Sequence, residues 1–399
     1  MRILHIHFDP PSNSYGTGNF YRKITEQLNK KNALGTNICC DRYDADTFYQ
    51  SNIIYASKRI KRRVVLLTYL YELICLELKS FFYLINNKKK YDLIISYHDG
   101  GLLAYYMSKF YKKKYIKFFF HLHETYCELF YKEKNLYENK LKDKFTLKKK
   151  INDFLSLIEN NFRIFNEKFF LNNIDILITC LQETKKTILN YKKIIKKKNT
   201  TIKVLPFLFE KKIDVKNINN KKKNILMHSS SLYHKGFVRF LEIITLNNFH
   251  LTTIYNIKII GLTDMVTAKK YIKFFKLENK IKIYGFVGKN INKYYKESDI
   301  LINLSLIEGW GISITDAYLS KKIIISSKVG CINEIFQNNK NVFSIDRNNN
   351  NECYQKLIEI HNSNVRFRID KKFYLIKKKL FDKSAINSYI NFFKSFLKI

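Results

Sequence analysis

What most restricts the fold of this chain is an alternation repeated from end to end: a short β-branched or aromatic run, a turn, then a segment of helix length. Strands are expected at Arg2 to Phe8, Asp92 to Tyr97, Ile116 to His123, Asp175 to Cys180 and Thr201 to Pro206. A second series runs through Asn224 to Ser229, Tyr255 to Gly261, Lys280 to Phe286, Asp299 to Leu304, Lys322 to Ser327 and Val342 to Asp346. Strands that are apolar almost throughout need cover on both faces, and the intervening helices supply it, so parallel sheets are predicted. There are too many strands for one sheet of ordinary width. The expected class is therefore α/β, with two doubly wound, Rossmann-like domains.

The break falls where apolar periodicity lapses, in the polar, Lys- and Asn-rich stretch Phe209 to Lys223 that follows Pro206. The first domain is then 1–207 and the second 208–382, with a C-terminal helix at 383–399 expected to rejoin the first. Lys132 to Lys150 reads as a polar surface excursion ahead of a long helix near Ile151 to Leu171. No internal repeat is visible.

Composition narrows the class. An apolar fraction of 46% with 3 Pro and 12 Gly in 399 residues excludes disordered, collagen-like and small disulfide-stapled chains. The formal charge of +38 raises the question of a polyanionic partner. Lys outnumbers Arg about five to one, however, and the cations are dispersed with no interleaved aromatic motif, so no nucleic-acid partner is expected. The seven cysteines, Cys39, Cys40, Cys75, Cys127, Cys180, Cys331 and Cys353, are odd in number, lack a C-x-x-C and mostly sit in apolar runs. That pattern suits buried thiols in a reducing compartment, and the N-terminus has no signal-peptide core, so a cytoplasmic location is expected.

One basic and aromatic segment, Lys58 to Lys90, stands apart. As a helix, Val64 to Ile85 spans about 33 Å, enough to cross a bilayer, but Glu72, Glu77 and Lys79 interrupt it. A helix packed on the first sheet is expected. Its functional alternative is docking on an anionic membrane through Lys58, Arg59, Lys61, Arg62 and Arg63, peripheral at the cytoplasmic face.

Three stretches carry chemistry. Gly16-Thr17-Gly18 follows the first strand and opens a helix, where free N–H groups and the dipole suit a phosphate. It matches neither G-x-G-x-x-G nor the P-loop pattern. Lys235-Gly236 stands at a strand-to-helix junction, where the cation suits a diphosphate. In Leu301 to Ile335, a strand leads through Ser305 to Glu308-Gly309-Trp310-Gly311 and a helix bearing Asp316, then to Gly330-Cys331 and Glu334. Two helical turns separate Glu308 from Asp316, which places them on a similar face if both are helical. Asp44-Ala45-Asp46 reads as surface charge, and no metal site is expected.

With these residues the chain resembles the retaining, nucleotide-sugar-dependent glycosyltransferases of family 4, whose GT-B fold sets two Rossmann-like domains across a cleft. The resemblance is strongest over Lys235 to Ile335. The family's Glu, seven residues, second Glu matches Glu308 and Asp316 after Ser305, with Asp in the second place. Its Lys-Gly matches Lys235-Gly236, and its Gly-Gly then Glu matches Gly330-Cys331 and Glu334 with one substitution. In the N-terminal half it rests on Gly16/Gly18, Asp92 to His98 and His121 to Glu124. Where the family commonly has an Arg, five residues before the Lys, this chain has Ser230.

The resemblance implies metal-independent sugar transfer from a nucleotide sugar to a saccharide or lipid-linked saccharide, with retention of configuration and no further cofactor. Lys235, the helix after Gly18 and backbone N–H groups at Trp310, Gly311, Ile312 and Ser313 would hold the diphosphate, in a pocket that includes Ser230. Glu308 is expected near the donor sugar, Asp316 on the ribose, and Phe286 and Val287 beside the nucleobase. His123, read as lying on a strand with His121 on the same side, would reach the reacting centre. The alternatives are a non-catalytic GT-B scaffold, suggested by Ser230, and a basic nucleic-acid-binding protein.

Overall fold

The computed structural model describes residues 1–8, 16–31, 34–40, 53–57, 65–141, 147–194, 200–209, 223–381 and 384–397. In chain order the first part comprises β1 (Arg2–His7), α1 (Gly16–Asn29), β2 (Leu34–Cys39), β3 (Ile53–Tyr55), α2 (Val65–Asn86), β4 (Leu93–Tyr97) and α3 (Leu102–Phe110). It continues with β5 (Lys114–Phe118), α4 (His123–Leu141), α5 (Leu147–Asn173), β6 (Ile176–Thr179), α6 (Gln182–Ile194) and β7 (Thr201–Val204). These strands form one seven-stranded sheet in the order β3-β2-β1-β4-β5-β6-β7. Every pairing in it is parallel, which follows from the helix between most successive strands.

The second part comprises β8 (Asn224–His228), α7 (Phe237–Ile254), β9 (Asn256–Ile260), α8 (Met265–Phe274), β10 (Lys282–Ile283), α9 (Ile291–Glu297) and β11 (Ile300–Asn303). After it come α10 (Ile312–Leu319), β12 (Ile323–Ser327), α11 (Ile332–Ile335), β13 (Val342–Ile345), α12 (Asn350–Asn362), α13 (Lys371–Leu380) and α14 (Ala385–Leu397). The second sheet has six strands, ordered β10-β9-β8-β11-β12-β13, again all parallel. Helix α7 is broken at Leu246–Phe249, where Asn247, Asn248 and Phe249 take positive φ. Two sheets of Rossmann type are thus present.

The described residues fall into two compact units. One takes those within Met1–Glu124, Lys144–Glu210 and Leu380–Ile399, and the other those within Thr125–Asp143 and Lys211–Lys379. The core of the first is built on Leu4, Ile6, Ile38, Ile94 and Leu177 from its strands, with Leu76, Leu84, Phe170 and Ile188 from covering helices. Helix α14 joins it through buried Tyr389, whose hydroxyl donates to the Pro206 carbonyl at 2.9 Å. The core of the second runs from Ile225, Ile259, Ile302 and Ile325 to Phe237, Leu241, Leu357 and Ile360.

Several expectations need correction. Lys132 to Lys150 is no surface excursion as far as it is described: α4 runs to Leu141, and Glu133, Lys134 and Tyr137 are buried within the second unit. Polar residues stay on the inward face there because charged partners meet them. Strands β2 and β3 have no counterpart among the expected ones. Leu34–Cys39 (LGTNIC) lacks a strong apolar run, yet Asn37 is buried in it because His7 Nε2 lies 2.9 Å from its Oδ1 and Thr25 bonds it from α1. The expected strand Ile116 to His123 stops at Phe118. Asp44 to Asp46, the basic residues Lys58 to Arg63 and most of the predicted break, 210–222, lie outside the described residues.

Candidate active site

In a doubly wound sheet, ligands bind beyond the carboxyl ends of the strands, at the point where strand order reverses. In the second unit that point lies between β8 and β11, the central pair. The loop leaving β8 ends at Lys235 and the loop leaving β11 carries Glu308, so two residues 73 positions apart emerge side by side. Lys235 Nζ donates to Glu308 Oε1 at 2.6 Å. A hydrogen bond from the Leu306 amide to the His234 carbonyl, 2.8 Å, ties the loops together.

Glu308 is held from three sides. Besides Lys235, Ser305 Oγ donates to its Oε1 at 2.7 Å and Asn303 Nδ2 approaches the same oxygen at 3.4 Å. Burial by itself would raise the carboxyl pKa. The charges of Lys235 and His234 and the hydrogen bonds from Lys235 and Ser305 outweigh it and bring the value from 4.5 to about 2. The group is therefore a carboxylate at neutral pH, half-buried and already paired with the cation expected to meet a diphosphate.

Backbone geometry explains two motif glycines. Gly236 has φ of +73°, and a Cβ there would sit 2.5 Å from both the Cβ and the carbonyl oxygen of Leu304. The Lys-Gly pair thus lets the loop press directly onto the end of β11. Gly330 has φ of +58°, and a Cβ would meet the Trp310 carbonyl and the Glu308 Cβ. The next amide, Cys331 N–H, donates to the Trp310 carbonyl at 2.7 Å, which joins the loop after β12 to the Glu308 loop.

The other second-unit residues are placed unequally. Trp310 and Gly311 are buried just before α10, and Ile312 and Ser313 are its first residues, with Asn303 Nδ2 3.4 Å from Ser313 Oγ. Asp316 is buried within α10. Glu308 precedes the helix, so the helical-face argument for the two acids does not hold, and the loop places Glu308 instead. Ser230 is exposed on the Lys235 loop, and its carbonyl accepts from Thr263 Oγ1 at 2.8 Å. Phe286, 67% exposed, and half-buried Val287 follow β10, which β9 separates from β8.

His123, Gly16 and Gly18 belong to the first unit. Gly16 is the first residue of α1, and Gly18 is buried in its first turn. His123 is not on a strand but opens α4, with its Nε2 3.0 Å from Asn160 Oδ1 and its amide donating to Glu167. Burial, then the Arg163 charge, lowers its pKa. His121 precedes it in the turn after β5 and stacks at a tilt on His98, ring centroids 5.2 Å apart.

Sequence reasoning missed the supporting side chains. Arg347 Nε donates to the Leu304 carbonyl at 2.7 Å, and its two terminal nitrogens reach Glu133 at 2.8 and 2.9 Å. Arg239 also bonds Glu133, at 3.2 Å to each oxygen. This buried fork braces the strand end from which Glu308 departs. Only a helical period through Phe130, Glu133 and Tyr137 announces it in the sequence. Asn303 is likewise hidden, as a polar residue closing an apolar strand; its Oδ1 accepts from the Ser305 amide at 3.1 Å.

Residues 209–374 match the family model described as "Glycosyl transferases group 1". No curated protein sequence matches the chain. Among solved structures, the sucrose-phosphate synthase of Thermosynechococcus elongatus superposes with a TM-score of 0.71 at 13% identity, covering 99% of this chain and 98% of that one. The apo form of WaaB, a lipopolysaccharide outer core galactosyltransferase, gives 0.65 at 14%, covering 99% of each chain. HepE of Anabaena in complex with UDP-glucose gives 0.63 at 14%, also covering 99% of each. At such identities the likeness establishes fold. The chain therefore has the two-sheet Rossmann-like architecture of the GT-B glycosyltransferases, and its second unit carries the pattern of glycosyl transferases group 1.

Proposed function

We propose that this protein is a retaining, metal-independent glycosyltransferase that moves a sugar from a nucleotide sugar to a saccharide or lipid-linked saccharide. The observation that carries the reading is the half-buried Lys235–Glu308 pair at the switch point of the second sheet, inside the region that matches the group 1 model. UDP-glucose in HepE and the galactosyltransferase activity named for WaaB support the substrate class.

Lys235 Nζ, turned from Glu308 to the donor, would neutralise the diphosphate, together with the N–H groups from Trp310 to Ser313 at the start of α10. As the bond between the anomeric carbon and the diphosphate breaks, negative charge grows on the departing phosphate, and these fixed donors stabilise it without reorganising. The acceptor hydroxyl oxygen forms its bond to that carbon on the face being vacated and gives up its proton to the departing phosphate oxygen. Glu308, released from Lys235 yet still oriented by Ser305 and Asn303, accepts hydrogen bonds from donor sugar hydroxyls, and Asp316 takes the ribose. Phe286 and Val287 are assigned to the nucleobase, and His123 and the Gly16/Gly18 turn of the first unit to the donor side of the reaction.

Thermal unfolding against a panel of UDP-, GDP- and ADP-sugars identifies the donor, because a ligand that binds only the folded state raises the melting temperature. Transfer should then be lost in Lys235→Ala and in Glu308→Ala, and persist in EDTA. Full activity in both variants sinks the proposal, and donor binding without turnover by the natural chain would mark a non-catalytic scaffold.

A further inference from the structure

The first unit turns an apolar stripe to solvent. On α2, Leu67, Ile74, Leu78, Phe82 and Ile85 are all exposed, Leu67 at 63% and Phe82 at 56%. Steps of three, four and seven residues gather them within about 80° of the helix circumference, along about 27 Å of its length. Helix α5, which packs on α2 where Arg163 lies over the Tyr69 ring, repeats the feature with Ile151, Phe154, Phe162 and Phe165. A soluble monomer rarely exposes large side chains in such continuous rows.

Charge selects the occupant. Both acids of α2 face inward: Glu72 is buried, and Glu77 accepts from the amides of Gly101, Leu102 and Leu103 at the start of α3. Lys79 on the helix and Lys88, Lys89 and Lys90 just after it are exposed, and the sequence places Lys58, Arg59, Lys61, Arg62 and Arg63 before it. An apolar row flanked by cations and cleared of acids fits acyl chains beneath anionic headgroups. Among the described residues no helix is long and apolar enough to cross a membrane.

We propose that the outer faces of α2 and α5 form a docking surface for an anionic lipid bilayer, with the helices lying on it rather than through it. The surface belongs to the first unit alone, so the proposal holds whether or not the chain transfers a sugar.

The test is flotation of the full chain with phosphatidylcholine vesicles and with vesicles containing phosphatidylglycerol. The protein should float with the anionic vesicles and not with the neutral ones, and lose binding as salt rises. L78N/F82N, and separately K88E/K89E/K90E, should each lower the partition coefficient about tenfold or more with an unchanged melting temperature. The lysine variant alters only an exposed turn, so it carries the test if the apolar variant misfolds. Absence of the natural chain from the anionic vesicles overturns the proposal, as does undiminished binding by the variants. A lipid-free dimer that L78N/F82N dissociates, with no vesicle binding, would overturn it in favour of an interface between copies.

Discussion

Replacing Lys235 with Met keeps the aliphatic stem but leaves half-buried Glu308 without its cation. In the intact pair the carboxyl drops from 4.5 to about 2, a shift worth about 3 kcal/mol to the folded state at neutral pH. Because the folded value lies below the unfolded one, this contribution is complete above about 4.5 and disappears as the pH falls toward 2. Lys235 contributes most of the lowering, with His234 and Ser305 behind it, so Lys235→Met should destabilise the second unit by about 2–3 kcal/mol at pH 7, the cost of leaving the carboxylate without its cation. Glu308→Gln added to it should recover much of that loss, since an amide needs no counter-charge. The chain has a single tryptophan, and Trp310 sits buried two residues beyond Glu308, so urea unfolding followed by its fluorescence reports on this unit. A double-mutant cycle of K235M and E308Q at pH 7 should give a coupling of about 2 kcal/mol or more, fading in the cycle repeated near pH 3. Coupling within a few tenths of zero at pH 7 would refute the electrostatic reading of the site.

Gly236→Ala should lower the melting temperature and cost about 2–4 kcal/mol, because its Cβ meets the Leu304 carbonyl at 2.5 Å; a thermal scan decides it. Glu133→Ala strands Arg239 and Arg347 in a buried site and should cost about 3–5 kcal/mol, read from the same fluorescence transition, whereas a surface substitution such as Lys293→Ala should stay within about 0.5 kcal/mol. His123→Ala should leave donor-induced stabilisation intact while turnover falls, measured by calorimetry beside a transfer assay; equal activity removes His123 from the mechanism. Burial brings the Lys117 amine down from 10.5 to about 7, so the unfolded chain binds more protons between those values and stability should rise with pH there. Lys117→Met should flatten that slope in denaturation curves taken at pH 7 and pH 9.

The strands built on an unbroken aliphatic run, Ile300 to Ile302 in β11 and Ile323 to Ile325 in β12, are legible because burial on both faces leaves a compositional trace that needs no knowledge of neighbours. Strand β2 leaves no such trace, since Asn37 becomes tolerable only once His7 and Thr25 stand beside it. The same holds for α4, whose Glu133 looks like surface charge until two arginines more than a hundred positions away close around it. His123 reads as a strand residue because the aromatic run Phe118 to Phe120 extends the apolar signal past the last ladder position.

The sequence by itself determined the α/β alternation, the placement of Lys235 and Glu308 at strand ends, and the glycines that let loops approach, because these depend on local conformation and spacing. Tertiary structure alone decided that Lys235 pairs with Glu308, that Asn303 and Ser305 orient the carboxylate, and that α4 from Thr125 onward is built into the second unit. It also decided which face of α2 meets solvent. Those outcomes depend on strand order, since parallel pairing of β8 with β11 is what brings two distant loops within hydrogen-bonding distance.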